Sequence, residues 1–170
     1  MSNDTALIKA ARAGDRDKCV RLLKDKRTGD VSKRGVDKKT AVMAAAEGGL
    51  VDIVALLLDN GASLIDSDND NNTPVMLASK EGHAVVVELL LSKGASIYDK
   101  NNRGFSSIMI AVHYGHTDIV ELLFSKGASI CDRDKSGRTS IMLASFKSLY
   151  GGDTRLRAYA NVVILLFFFF

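Results

Sequence analysis

The three histidines of this sequence are the side chains best suited to catalysis or metal binding. They are His83, His113 and His116, and the last two are three residues apart. On a helix, that spacing places two side chains on one face. A zinc site needs three or four protein ligands, and no third ligand accompanies this pair. The histidines therefore predict neither a metal centre nor a catalytic base.

Two aspartate-rich segments, residues 66–71 and 132–137, match the first half of a calcium-binding loop. Such a loop needs a glutamate at its twelfth position that binds the ion through both carboxylate oxygens. The corresponding positions hold Leu77 and Leu143, so both segments are predicted to be polar turns. The sequence also lacks the glycine-rich motifs that hold phosphate groups. We therefore predict no catalytic residue, no metal and no cofactor.

Composition is typical of a globular protein. The 170 residues are 46% apolar and 25% charged, with a net charge of +3 that is too small to indicate nucleic acid by itself. Two cysteines, Cys19 and Cys131, are too few for a disulfide framework and fit a reducing compartment. The longest apolar run has nine residues, 162–170, and a membrane-spanning helix needs about 20. No secretory leader is evident, so we expect a cytoplasmic protein, with the nucleus as the alternative.

A repeat of 33 residues runs through most of the chain. Thr40, Thr73, Ser106 and Thr139 each begin a similar four-residue phrase, and the tripeptide Gly-Ala-Ser recurs three times at the same interval. A repeat of this length is typical of solenoid proteins, in which stacked units share one continuous core. We therefore predict an elongated solenoid.

The third unit shows how the local structure follows from the residues. Thr73 before Pro74 suits the start of a helix, and Gly82 ends that helix. A second helix ends at Gly94, which we expect in the left-handed conformation. This helix carries the apolar residues Val86, Val87, Leu89, Leu90 and Leu91. The polar stretch that follows predicts a turn or hairpin. Positive φ angles are also plausible two residues before each phrase, at Asn71, Gly104 and Gly137, whereas Lys38 fits this position poorly.

The repeating unit resembles the ankyrin repeat, most closely over residues 73–96, which include Gly82 and His83. The resemblance implies an all-α solenoid of helix, turn, helix and hairpin, with His83 and His116 at structural positions. It implies one domain over residues 1–170. The units are a capping repeat over 1–36, repeats over 37–69, 70–102 and 103–135, and a divergent repeat over 136–170.

The units depart from the family pattern at two positions. Methionine replaces the usual histidine of each four-residue phrase, so apolar packing should replace its hydrogen bonds. These residues are Met43, Met76, Met109 and Met142. The family's asparagine near each hairpin is also replaced, and the aspartate one residue later is expected to take over its turn contacts. These aspartates are Asp66, Asp99 and Asp132.

The last unit breaks the pattern after Ser145, with about ten extra residues near 147–157. We expect a final helix toward Leu166 whose apolar face packs on the fourth unit. The alternatives are a further repeat or partner that covers the tail, or contact with a membrane surface, to which one short apolar run binds weakly. Self-association would use the tail residues Phe167, Phe168, Phe169 and Phe170.

The resemblance implies that partners bind at the hairpin tips and at the exposed ends of the first helices. These positions are polar in the second and third units but aromatic or cationic in the fourth and fifth, and such residues are typical of binding hot spots on an exposed face. The candidate partner-binding residues are Arg103, Phe105, His113, Tyr114, Arg138, Phe146 and Lys147. For Phe146, the alternative interpretation is a partly buried structural role.

The sequence therefore predicts that this protein is a non-catalytic adaptor with a pre-organised groove for a protein partner. The alternative is that it is a targeting or regulatory segment of a larger protein.

Charge is concentrated in the first unit. Residues 1–36 contain ten Lys or Arg and five Asp or Glu. A solvated capping helix explains this charge, and an acidic partner or anionic surface is the alternative. Because no aromatic residues are interleaved with these charges, we expect no nucleic-acid partner.

Overall fold

The computed structural model describes residues 4–25, 27 and 29–150, with side chains up to residue 145. Over this part of the chain it contains nine α-helices and no β-strand, which confirms the all-α prediction. The helices are α1 Ala6–Ala13, α2 Arg16–Lys24, α3 Ala41–Glu47, α4 Val51–Asp59, α5 Pro74–Glu81, α6 Ala84–Ser92, α7 Ser107–Tyr114, α8 Thr117–Ser125 and α9 Ser140–Tyr150.

The helices of the third unit begin and end where the sequence predicts. α5 starts at Pro74 and ends before Gly82, which has a φ of 86°. α6 ends at Ser92, and Gly94 follows in the left-handed region with a φ of 94°. Thr73 is the N-cap residue of α5, but its hydroxyl makes no capping hydrogen bond. The glycine positions thus set the helix ends, while the N-cap threonine acts through its backbone conformation alone.

The helices stack in two layers, which confirms the predicted solenoid. In the inner layer, α1, α3, α5, α7 and α9 pack each against the next. In the outer layer, α2, α4, α6 and α8 do the same. Each of the first four inner helices also packs against the outer helix that follows it. The apolar core therefore continues from unit to unit between the two layers.

The methionines of the repeated phrase belong to this core. Met43, Met76 and Met109 are buried, so apolar packing occupies the position where the family usually has histidine. Met142 is 51% exposed. It lies on α9, the last inner helix of the described residues, where no further described helix covers it.

Backbone hydrogen bonds join each hairpin to the next. In each case a tip N–H donates to a carbonyl at the tip of the preceding hairpin. The bonds run from Asn69 to Asp37 (2.9 Å), from Asn102 to Asp70 (2.9 Å) and from Lys135 to Arg103 (3.0 Å). The tips therefore form one row with a fixed register.

Within each hairpin, one side-chain oxygen accepts two backbone N–H groups. Asp68 accepts from Asp70 at 3.0 Å and from Asn72 at 2.8 Å. Asn101 and Asp134 make the same pair of bonds in the next two hairpins. These residues close the turns in place of the predicted aspartates two positions earlier, of which Asp66 and Asp132 instead form ion pairs with the preceding unit.

The positive φ angles predicted at the hairpins are confirmed at Asn71 (63°), Gly104 (79°) and Gly137 (77°). Lys38 also adopts a positive φ, of 60°, although its side chain makes this conformation unfavourable. It lies in a short 3-10 turn, Val36–Lys38, in which Asp37 has a φ of 57° as well. The second unit therefore keeps a positive φ at this position without a glycine there.

α9 continues to Tyr150 and so includes the first residues of the inserted segment. The rest of that segment, the final helix expected toward Leu166, and Phe167, Phe168, Phe169 and Phe170 lie outside the described residues. In the described part of the chain, no helix has the length and apolar character needed to cross a bilayer.

Candidate partner-binding groove

A groove of about 400 Å³ runs between the hairpins and the inner helices of the second, third and fourth units. Hairpin residues form one wall, and residues at the ends of α3, α5 and α7 form the other. The groove is lined by Asp37, Lys39, Glu47, Asp68, Asn69, Asp70, Asn72, Leu77, Lys80, Asn101, Arg103, Phe105, Ile110, His113 and Tyr114. Leu77 and Ile110 are buried, so the open surface is mainly polar and charged.

The helical wall is held in place by histidines from the following units. Nε2 of His83 donates to the carbonyl of Glu47 at 3.1 Å, and Nε2 of His116 donates to the carbonyl of Lys80 at 3.0 Å. Each histidine thus fixes the end of the preceding inner helix, where a groove residue projects. In the described part of the chain, no three His, Cys, Asp or Glu side chains are grouped so that they could hold a metal ion.

Two lysines that line the groove are paired with glutamates. Nζ of Lys39 lies 2.7 Å and 2.6 Å from the carboxylate oxygens of Glu47. Nζ of Lys80 lies 2.9 Å from Oε1 of Glu81, and this hydrogen bond raises the pKa of Lys80. Each lysine is therefore paired with a glutamate of its own unit.

Four aromatic rings form a cluster at the fourth-unit end of the groove. The ring centroids of Phe105 and His113 are 5.7 Å apart, and those of His113 and Tyr114 are 5.1 Å apart. Tyr114 stacks on His116 at 6.5 Å with an angle of 10° between the planes. We call Phe105, His113, Tyr114 and His116 the aromatic cluster. Within this cluster, Tyr114 at the groove surface stacks on His116, whose Nε2 donates to the carbonyl of Lys80.

The prediction that Phe105 is an exposed aromatic anchor is wrong, because its side chain is only 6% exposed. The N–H of Phe105 donates to Oδ1 of Asn101 at 3.0 Å, which closes the hairpin and turns the ring toward the inner helices. The guanidinium carbon of Arg138 lies 5.9 Å from the ring centroid. Phe105 therefore supports the groove wall and offers little surface to a partner.

The two predicted arginines have different environments. Arg103 is exposed and lines the groove from a hairpin tip. Arg138 forms an ion pair with the buried Asp134 at 2.7 Å. Burial acts to raise the pKa of Asp134, but the hydrogen bonds and charge of Arg138, together with the N–H of Ser136, outweigh it and lower that pKa. The charge of Arg138 is thus paired with a carboxylate of its own hairpin, that of Asp134.

The structure brings four of the predicted residues together on the groove: Arg103, Phe105, His113 and Tyr114. Arg138 contacts Phe105 from the adjacent hairpin. Phe146 and Lys147 have their backbone in α9, but their side chains lie outside the described residues.

The candidate list did not include several charged residues that line the same groove. Asp37 and Asp70 occupy the repeat position of Arg103, and Glu47 and Lys80 occupy the repeat position of His113. The 33-residue spacing was the signal that could have found them. Because the sequence prediction favours aromatic side chains, it leaves out the polar residues at the same repeat positions.

Comparison with protein families agrees with this architecture. One family model, described as ankyrin repeats in three copies, matches residues 7–101, and another, described as ankyrin repeats in many copies, matches residues 90–144. The chain belongs to the ankyrin repeat family. No curated protein matches this ankyrin-repeat chain at a significant level. Ankyrin repeats are generally protein–protein interaction modules and are typically non-catalytic.

Proposed function

We propose that this chain is a non-catalytic adaptor that binds a protein partner in the groove described above. The observation that supports the proposal is the way the groove is held: its tips are joined by backbone hydrogen bonds, and its helical wall is fixed by His83 and His116. A surface held in advance loses little conformational entropy on binding. Stacked repeats therefore suit recognition of a partner better than they suit a reaction that needs converging catalytic groups.

The partner-facing residues in this proposal are Arg103, His113 and Tyr114. Phe105 acts behind them as a supporting side chain, since it is buried against His113. Arg138 acts through Phe105 from the next hairpin. Phe146 and Lys147, whose backbone belongs to α9, are proposed as further partner-binding residues. The cytoplasm is the proposed location.

A quantitative pull-down from a lysate of the source cell tests this proposal. The native chain is compared with a double variant, Arg103→Ala with Tyr114→Ala, after circular dichroism shows that both are folded. Tyr98→Ala is a matched control, because Tyr98 is 68% exposed and does not line the groove. A protein retained by the native chain and by Tyr98→Ala, but lost by the double variant, supports the proposal. Identical retention by all three chains contradicts it.

We propose, as an alternative, that the repeats are a targeting or regulatory segment of a larger protein. The exposure of Met142 favours this alternative, since its counterparts in the preceding units are covered by the next inner helix. Association through α9 or the apolar tail should then depend on concentration. Sedimentation of the native chain, of Met142→Lys and of a chain lacking residues 167–170 would measure this, and monomeric behaviour at all concentrations would exclude self-association.

A further inference from the structure

Along the groove, the side chains at the hairpin tips change the sign of their charge. Asp37, Asp70 and Arg103 occupy the same position of three consecutive units, 33 residues apart. All three are exposed and all three line the groove. Lys38 lies beside Asp37 on the same tip but does not line the groove. The charges of these tip residues are therefore acidic in the second and third units and basic in the fourth.

The register of the tips fixes the order of these charges. The carbonyl of Asp37 accepts from Asn69, which precedes Asp70 on the next tip, and the carbonyl of Asp70 accepts from Asn102, which precedes Arg103. Neighbouring units in a helical stack are about 8–10 Å apart, and an extended chain advances about 3.3–3.6 Å per residue. A segment laid along the tips therefore passes one unit about every three residues. Asp70 and Arg103 then face partner residues about three positions apart, and Asp37 and Arg103 face residues about six apart.

The other charges of the groove are engaged within the chain. Lys39 is paired with Glu47, Lys80 is paired with Glu81, and Asp68 accepts the N–H groups of its own hairpin. In contrast, no ion pair to Asp37, Asp70 or Arg103 is found among the residues that the structure describes. These three charges can pair with a partner at no cost to the fold.

From this charge order we infer the chemistry of the partner, an inference that rests on the groove function proposed above. The groove takes an extended segment of a protein partner, with a basic residue facing Asp70 or Asp37 and an acidic residue facing Arg103. An exposed ion pair contributes little affinity by itself, but opposite charges in a fixed order exclude the reversed orientation and steer the encounter. The tips thus select the direction in which the segment lies.

A displayed library of random twelve-residue peptides tests this inference. Selection is run on the native chain and on a charge-swap variant, Asp70→Arg with Arg103→Asp. The control is a second swap, Asp59→Lys with Lys93→Asp, at an ion pair on the outer helices with a 3.1 Å separation. We expect peptides from the native chain to carry a basic and an acidic residue about three or six positions apart. They should bind the groove swap at least tenfold more weakly and the outer swap with unchanged affinity.

A binding measurement on one further variant separates this inference from the groove function itself. The variant is Tyr114→Ala, which removes a groove side chain without changing the tip charges, and it is tested with the peptides selected on the native chain. If the selected peptides lose affinity for Tyr114→Ala but bind the groove swap as well as the native chain, the groove function stands and the charge inference is overturned. If the peptides are insensitive to both variants, or if no peptide is selected, both proposals are overturned. Peptides from the groove swap that carry the reversed charge order would confirm the inference.

Discussion

Replacing Gly82 with alanine should impose two separate costs on the fold, one conformational and one steric. Gly82 has a φ of 86°, in the left-handed region where an L-residue other than glycine costs about 1–2 kcal/mol. A Cβ atom at this position would also lie 2.7 Å from Cε1 and 2.8 Å from Nδ1 of His116. The ring must then move, which breaks its 3.0 Å bond to the carbonyl of Lys80. Loss of that bond adds about 1 kcal/mol, so we expect a total loss of about 2–3 kcal/mol.

Gly94 is a matched control for the conformational cost. Its φ is 94°, and a Cβ atom there would have no neighbour within 4 Å. Gly94→Ala should therefore cost only about 1–2 kcal/mol. Urea unfolding followed by circular dichroism measures both variants. Equal losses for the two alanines would show that His116 does not pack over Gly82. A further variant, Gly82→Ala in a His116→Ala background, should lose only the conformational term, because a double-mutant cycle isolates the coupling between the two residues.

Three further predictions concern the core, the inner-helix start and the last hairpin. Leu90→Ala should destabilise the fold by about 2–5 kcal/mol, because Leu90 is fully buried between two neighbouring units. Val85→Ala on the exposed side of the same helix should change stability by less than about 0.5 kcal/mol in the same urea titration. Thr73→Val should be neutral or stabilising, because the buried hydroxyl has no hydrogen-bond partner among the described residues; a loss near 1 kcal/mol would show that it caps α5. Asp134 has a lowered pKa in the folded state, so its carboxylate stabilises the fold above its unfolded pKa of about 3.9 and this stability is lost as the pH falls through the folded pKa. The native chain should therefore be more stable than Asp134→Asn at neutral pH, and unfolding at a series of pH values should show the difference shrinking below about pH 4.

The fold could be predicted from the sequence because independent local signals recur with one period. Thr73, Pro74 and Gly82 bound one helix, and Gly94 follows the next. Each signal is short-range, so its effect on the backbone does not depend on distant contacts. Recurrence every 33 residues then implies that the same unit is stacked on itself.

The hairpin contacts and the burial of Phe105 could not be read from the same pattern. The residue two positions after each tip is Lys39, Asn72, Phe105 or Arg138. Three of these are polar, so the pattern predicts a surface position, whereas the N–H of Phe105 is hydrogen-bonded to Asn101 and its ring is turned inward. The ring is then placed under a side chain of the next unit. Such contacts join residues 33 apart, and residue type alone does not determine which face a hairpin side chain takes.

Stability and binding are linked in this chain through the interrepeat histidines. Met76 near the start of α5 is buried, and His116 holds the end of this helix through the carbonyl of Lys80. The same histidine stacks on Tyr114 at 6.5 Å, and both Lys80 and Tyr114 line the groove. A substitution that displaces His116 therefore shifts two groove residues as well as weakening the fold. Gly82→Ala should accordingly reduce partner binding under conditions where both alanine variants remain folded, whereas Gly94→Ala should leave binding intact.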